Sequence, residues 1–309
     1  WVDAGMSLSC WMWNRTPVDR IDVATLRTGR LGDNCRAGPC PDLAAYLHAL
    51  MPTPSLLPPV SPEPSPGSWV SINTGPVPLR CWWAPTSSTK PASRAVIVLS
   101  EMFGLNGWVR GVADRLSAAG VPALAMPLFA RTAPELELGY DSESTREGRR
   151  HKEATTTEMI LADVQATIDW LRLALASSAQ PLRITVVGFC FGGHAALLAA
   201  TLADVHVSLD FYGAGVSRGR PGGGAPSFEL LPAVQGELHC LCGSIDPLIP
   251  SSDQQAIQTA LQAVDPTSLR LRYRVFKGAD HGFMCEARNQ YHQASAQEGW
   301  RLLLEAAQS

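Results

Sequence analysis

From residue 68 onward, apolar positions in this chain alternate between strand-like runs and helix-like spacing. Residues 69–73 and 77–83 read as an N-terminal hairpin. Short apolar runs at 94–100, 121–126, 184–187, 205–211 and 235–242 predict buried strands of a parallel sheet. Between them lie predicted helices at 108–119, ended by Gly120, at 143–176, at 195–202 and at 252–264. The long 143–176 segment carries Ile160, Val164, Ile168, Leu171 and Leu175 at helical spacing in its second half. Its first half is polar, with Arg146, Arg149, Arg150, His151 and Lys152. Residues 269–276 set Leu271, Tyr273 and Val275 against Arg270, Arg272 and Arg274, the pattern of a half-exposed strand near a sheet edge. A helix over 288–307 closes the chain. Alternating strands and helices predict an α/β fold, a mostly parallel central sheet with helices on both faces.

One strand end carries the most chemistry. Val186-Val187-Gly188-Phe189-Cys190-Phe191-Gly192-Gly193-His194 is a buried strand, a G-x-C-x-G-G turn and a helix of small apolar residues. This is the nucleophile elbow of the α/β-hydrolase fold with Cys in place of Ser. A nucleophile there must stand on a sharp turn above the sheet, and Gly188 and Gly192 leave room for that close approach. The helix start puts free N–H groups beside the sulfur. Two more strand ends follow, Leu241-Cys242-Gly243-Ser244-Ile245-Asp246 and Val275-Phe276-Lys277-Gly278-Ala279-Asp280-His281. The order nucleophile, acid, histidine is that of α/β-hydrolases, and catalytic groups gather at this sheet edge. Cys190, His281 and Asp246 are therefore expected to form a triad. Phe191 and Met102 N–H groups are expected to hold the oxyanion. Phe103, Tyr212 and Phe283 are expected to line the pocket. His194 and Trp108 read as structural.

Composition narrows the alternatives. A 309-residue chain with 17% charged residues can bury one large core. A net charge of −3 offers no electrostatic basis for binding nucleic acid or an anionic membrane. No apolar run is long enough to span a bilayer. Residues 1–20 lack a basic stretch followed by an apolar core, and a thiol nucleophile needs a reducing compartment, so a cytoplasmic monomer is expected. Residues 1–67 differ in character: seven prolines fall within 52–68, and only 42–50 looks briefly helical. They read as a poorly structured extension with a Pro-rich linker before a hydrolase domain at 68–309. Residues 1–50 are either dispensable or a small cap. Cys35 and Cys40 lack a second ligand pair, so no metal or other cofactor is expected.

A fourth motif points to a family. Val96-Ile97-Val98-Leu99-Ser100-Glu101-Met102-Phe103-Gly104 puts Glu101 at a strand end, where the oxyanion loop belongs. With Cys190, Asp246 and His281, with Met126-Pro127-Leu128-Phe129-Ala130-Arg131, Phe211-Tyr212-Gly213 and His281-Gly282-Phe283, the chain resembles the dienelactone hydrolase family over about residues 68–307. A carboxylate beside the thiol opposes thiolate formation at rest. The resemblance implies that Glu101 takes the thiol proton once substrate binds. It also implies a small lactone or ester substrate whose carboxylate is held by arginines. One of those arginines would stand four residues after His281, where this chain has Cys285; Arg288 is the nearest substitute, and the other falls near Arg146, with Arg149 and Arg150 as alternatives in the same run. A cysteine acyltransferase or thioesterase, or a redox-sensing relic of the fold, are the alternative readings.

Overall fold

The computed structural model describes residues 67–309, apart from 76, 89–90 and 177–180. These residues belong to one compact unit, Pro54–Ser309. The expectations placed on residues 1–66, including the 42–50 helix and the Cys35/Cys40 pair, lie outside the described residues.

Among the described residues, eight strands form one sheet: β1 Ser68–Ile72, β2 Leu79–Ala84, β3 Arg94–Leu99, β4 Ala123–Met126, β5 Arg183–Phe189, β6 Val205–Phe211, β7 Glu237–Gly243 and β8 Leu271–Phe276. Their order is β1-β2-β4-β3-β5-β6-β7-β8. The hairpin β1–β2 joins β4 antiparallel, and every other pairing is parallel. The helices are α1 Gly107–Ala118, α2 Ser142–Glu153, α3 Thr157–Ala174, α4 Phe191–Ala199, α5 Ser251–Val264 and α6 Gln293–Gln308. The chain steps one way from β3 to β4, then the other way from β5 to β8. Right-handed crossovers then place helices on opposite faces. Arg115 of α1 stacks over Trp300 of α6 on one face, while α3 packs on α4 on the other. The direction reverses around β3, where open α/β sheets bind their ligands. Leu99 of β3 pairs with Gly188 of β5, so the residues just past these strands, Glu101 and Cys190, emerge side by side.

Two predicted helices are corrected. The 143–176 segment is two helices, broken at residues 154–156. Thr155 Oγ1 donates to the His151 carbonyl (2.9 Å), and Thr156 caps α3 by accepting from Met159 N–H (3.3 Å). Threonines whose side chains bond the local backbone favour a helix end over a helix interior. The break frees α2 to approach the sheet edge separately. The closing helix begins at Gln293 rather than 288, because residues 282–291 follow successive turns, Cys285 N to Gly282 O, Arg288 N to Cys285 O and Tyr291 N to Arg288 O. Strand β8 is the sheet edge, as its alternation predicts, but Val275 is exposed and Phe276 is buried. A 3₁₀ turn at Ser227–Ala233 carries no periodic signal and was not expected.

Candidate active site

Cys190 ends β5 and precedes α4 with φ +56° and ψ −115°. A non-glycine residue there is strained by roughly 1–3 kcal/mol, and strain of this kind gathers at functional positions. The turn is held by Cys190 N–H to Phe211 O (3.0 Å) and His194 N–H to Cys190 O (3.1 Å). The flanking glycines are sterically required. A Cβ on Gly188 would lie 1.8 Å from Gly192 O, and one on Gly192 would lie 2.4 Å from both Leu99 O and Ser100 O. All nine residues of α4 are buried. Cys190 itself is buried but borders a cavity of about 570 Å³, with Phe191, Met102 and His281 also on its wall. Phe191 is the first residue of α4, so its N–H has no acceptor within the helix.

His281 Nδ1 is bonded to Asp246 Oδ2 at 2.8 Å, and both groups are buried. The other Asp246 oxygen accepts from Leu248 N–H (2.8 Å), which fixes the carboxylate plane. Burial opposes protonation of the imidazole, but the neighbouring Cys190 and the bond to Asp246 outweigh it and raise His281 to about 10. Cys190 shares the cavity wall with His281, whose Nε2 has no hydrogen-bond partner among the described residues.

Glu101 is also buried, and its Oε1 accepts from Arg288 Nη1 at 2.6 Å. Its Oε2 has no hydrogen-bond partner among the described residues. Burial pushes the carboxyl pKa up, and Arg288 and His281 restrain the rise. Arg288 lies on the cavity wall, but the Glu101 carboxylate already occupies it.

The remaining pocket expectations divide. Phe103 lines the cavity. Tyr212 and Phe283 do not; both are fully buried in the aromatic packing behind His281, with ring centroids 5.2 Å apart. Arg146 is turned away. Its side chain is 78% exposed and pairs with Glu143 on the same helix. The cationic wall is instead Arg149 and Lys152 of α2, with Arg218, which is paired with Asp253 at 2.7 Å. Neither Arg149 nor Lys152 has a carboxylate partner among the described residues, and no described lining residue is Asp or Glu. The missed signal was Gly148. A Cβ there would lie 2.3 Å from Met102 O, so this glycine is where α2 touches the loop after β3. Residues 145, 149 and 152 share that helix face; residues 146 and 150 do not. His194 is structural, bonded to Ala214 O and Ser227 Oγ and lowered to about 4 by burial. Trp108 donates to Glu286 (2.6 Å) away from the cavity.

Among the described residues no group of three or more His, Cys, Asp or Glu could hold a metal ion, and no helix is long and apolar enough to cross a membrane.

The sequence profile of the dienelactone hydrolase family matches residues 84–308. A protein of Synechocystis sp. provisionally named a carboxymethylenebutenolidase is 35% identical over 208 residues, 67% of this chain and 82% of that protein. The carboxymethylenebutenolidase of Pseudomonas putida is 26% identical over 199 residues, 64% of this chain and 78% of that protein. A Klebsiella pneumoniae crystal structure, provisionally described as a dienelactone hydrolase, superimposes with a TM-score of 0.69 at 22% identity, covering 79% of this chain and 98% of that one. A dienelactone hydrolase-like promiscuous phosphotriesterase from metagenomic libraries does so with a TM-score of 0.59 at 21% identity, covering 77% and 95%.

Proposed function

The chain belongs to the dienelactone hydrolase family and is a hydrolase of a small-molecule substrate, and we propose that it cleaves a small lactone or carboxylic ester through Cys190, His281, Asp246 and Glu101. The observation that carries this reading is the strained Cys190 turn standing beside the buried His281–Asp246 pair.

Each group has a role that its surroundings suit. Glu101 Oε2, the unpaired oxygen, takes the Cys190 thiol proton. The thiolate attacks the ester carbonyl, and the N–H groups of Phe191 and Met102 receive the oxyanion. His281, held as imidazolium, passes its Nε2 proton to the leaving alkoxide. Asp246 keeps the ring oriented and stabilises its charge. In the second half, neutral His281 takes a proton from water, and the resulting hydroxide adds to the thioester carbonyl. The collapse expels the Cys190 thiolate, which recovers its proton from Glu101. The sum is ester plus water to acid plus alcohol, with every enzyme group returned to its starting state.

A carboxylate on the substrate fits the wall formed by Arg149, Lys152 and Arg218. Of the three arginines that the resemblance leaves open, Arg149 rather than Arg146 or Arg150 takes the substrate role, and Arg288 anchors Glu101 before it can anchor substrate.

The test is Cys190→Ala, assayed on dienelactones, neutral lactones and p-nitrophenyl esters, with intact-protein mass spectrometry during turnover. Hydrolysis should fall by several orders of magnitude, and an acyl adduct seen on the wild type should be absent from the variant. Near-native turnover by the variant refutes the proposal.

A further inference from the structure

We propose that the substrate is an open-chain ester of an apolar alcohol, with the alcohol seated on Leu248 and a carboxylate carried on the acyl half. The inference rests on the reading above of Cys190 as nucleophile and His281 as proton donor to the leaving group, and it selects the ester over the lactone.

The reaction gives the cavity two ends. A leaving alkoxide must come within hydrogen-bond reach of His281 Nε2 to be protonated. One carboxylate holds both His281 and Leu248: Asp246 Oδ2 is bonded to His281 Nδ1 (2.8 Å), and Asp246 Oδ1 accepts from Leu248 N–H (2.8 Å). Both residues line the cavity, so the alcohol half leaves past Leu248. The other end is built on the two oxyanion residues. Gly148 of α2 touches Met102 O, and the Lys152 ammonium lies 5.6 Å from the centre of the Phe191 ring. Arg149 and Lys152 therefore stand beside the acyl carbonyl, where a carboxylate on the acyl half meets them.

Leu248 is 48% exposed, and the packing of its loop does not use it. Ile249 beside it is buried and anchors the loop to the core. Gln254 of α5 ties the two ends together, donating to Gly243 O (3.0 Å) and Ile249 O (2.9 Å). An exposed leucine is ordinary in itself. This one is fixed on a cavity wall, next to the group that protonates the leaving oxygen. The other apolar lining residues do not serve that end. Met102, Phe103 and Phe191 belong to the oxyanion end, with Tyr140 edge-on to Phe103 at 4.8 Å, and Ala214 and Ala287 offer only a methyl group. Arg218 and Arg288 are paired with Asp253 and Glu101, and Asn289 and Gln290 are exposed to water. The cavity of about 570 Å³ falls within the roughly 300–1,000 Å³ of pockets that hold drug-sized ligands. A monocyclic lactone ties its alcohol and acyl halves into one ring and cannot extend toward both ends.

The experiment measures kcat/KM for the glutarate half-esters of methanol, butanol and hexanol, for the heptanoyl ester of γ-hydroxybutyrate, which is hexyl glutarate with the ester bond reversed, and for a dienelactone. The proteins are wild type, Cys190→Ala, Leu248→Ala, Leu248→Gln and Ile245→Ala. A methylene removed from water is worth up to about fourfold, so kcat/KM should rise by about tenfold or more from the methyl to the hexyl half-ester. The reversed isomer should be slower than hexyl glutarate by about tenfold, the worth of one charge-assisted contact misplaced. Both Leu248 substitutions should flatten the rise. Ile245→Ala should keep it, because that side chain is 61% exposed on the same loop but does not line the cavity. The rise is read within each protein, so a general loss of activity cancels. A flat series in the wild type, a rise that survives both Leu248 substitutions or is lost equally in Ile245→Ala, equal rates for the two isomers, or turnover of the dienelactone alone overturns the inference and leaves Cys190 as the nucleophile. Turnover that persists in Cys190→Ala overturns the reading of the site and this inference together.

Discussion

Replacing Arg288 with alanine tests its role as the buried partner of Glu101. The Arg288 side chain is only 13% exposed, and that of Glu101 is 1% exposed, with Nη1 2.6 Å from Oε1. Removing one member of such a pair strands the other charge and typically costs about 3–5 kcal/mol. Proton uptake by Glu101 limits this cost. Each unit by which its pKa falls short of the assay pH is worth about 1.4 kcal/mol. Burial already raises the Glu101 pKa in the wild type, and losing Arg288 raises it further. A carboxyl with a raised folded pKa contributes most at acid pH and loses that contribution as pH climbs through the raised value. The deficit of Arg288→Ala should therefore be about 3 kcal/mol at pH 8 and smaller at pH 5.5. At roughly 2–4 °C per kcal/mol for a domain of this size, the melting temperature should drop by about 6–12 °C at pH 8. The assay is thermal and urea unfolding followed by circular dichroism at both pH values, for Arg288→Ala and for Arg288→Ala with Glu101→Gln. The second substitution should recover most of the loss at pH 8, since no charge is then stranded. A loss below about 1 kcal/mol at pH 8, the same loss at both pH values, or no recovery in the double variant would refute the argument.

Two further expectations follow from the same geometry. Arg149→Ala should lower kcat/KM for a carboxylate-bearing lactone by about ten- to hundred-fold, the worth of one charge-assisted contact, and leave a neutral lactone of similar size unaffected; Arg146→Ala should change neither, and the reverse pattern would return the anchor to Arg146. Asp210 is buried behind the elbow and raised to about 7 by that burial, with the Gly213 N–H opposing the rise. Its stabilising effect is complete below its ordinary value of 3.8 and is lost as pH rises through about 7. Asp210→Asn, which keeps an acceptor for Gly213 N–H, should therefore gain on the wild type by up to about 4 kcal/mol between pH 4 and pH 8, from a pKa difference of 7 − 3.8 at about 1.4 kcal/mol per unit. A constant difference in melting temperature across that range would show that Asp210 is ionised throughout.

Much of the molecule was legible in the order of its residues, and the reason is local. Strands buried on both faces must be apolar throughout, so β3, β5, β6 and β7 announce themselves. The elbow is equally local: a strained nucleophile between Gly188 and Gly192 needs residues without Cβ at fixed spacing, and a spacing survives in one dimension. The order of Cys190, Asp246 and His281 could be read because each follows a strand, and parallel strands bring those ends to one edge. The direction of side chains around the cavity was not legible. Arg146 and Arg149 lie three residues apart, but the contact of Gly148 with Met102 O selects which of them faces the site. Tyr212 and Phe283 have the composition of pocket residues, but packing against Phe211 and His281 draws them behind the wall. Arg288 meets Glu101 across 187 positions of sequence only because three consecutive turns replace the first part of the expected closing helix. Residue type and spacing decide which groups can perform the chemistry; which of two adjacent side chains enters the site is decided by contacts between elements far apart in the chain, which no local pattern records.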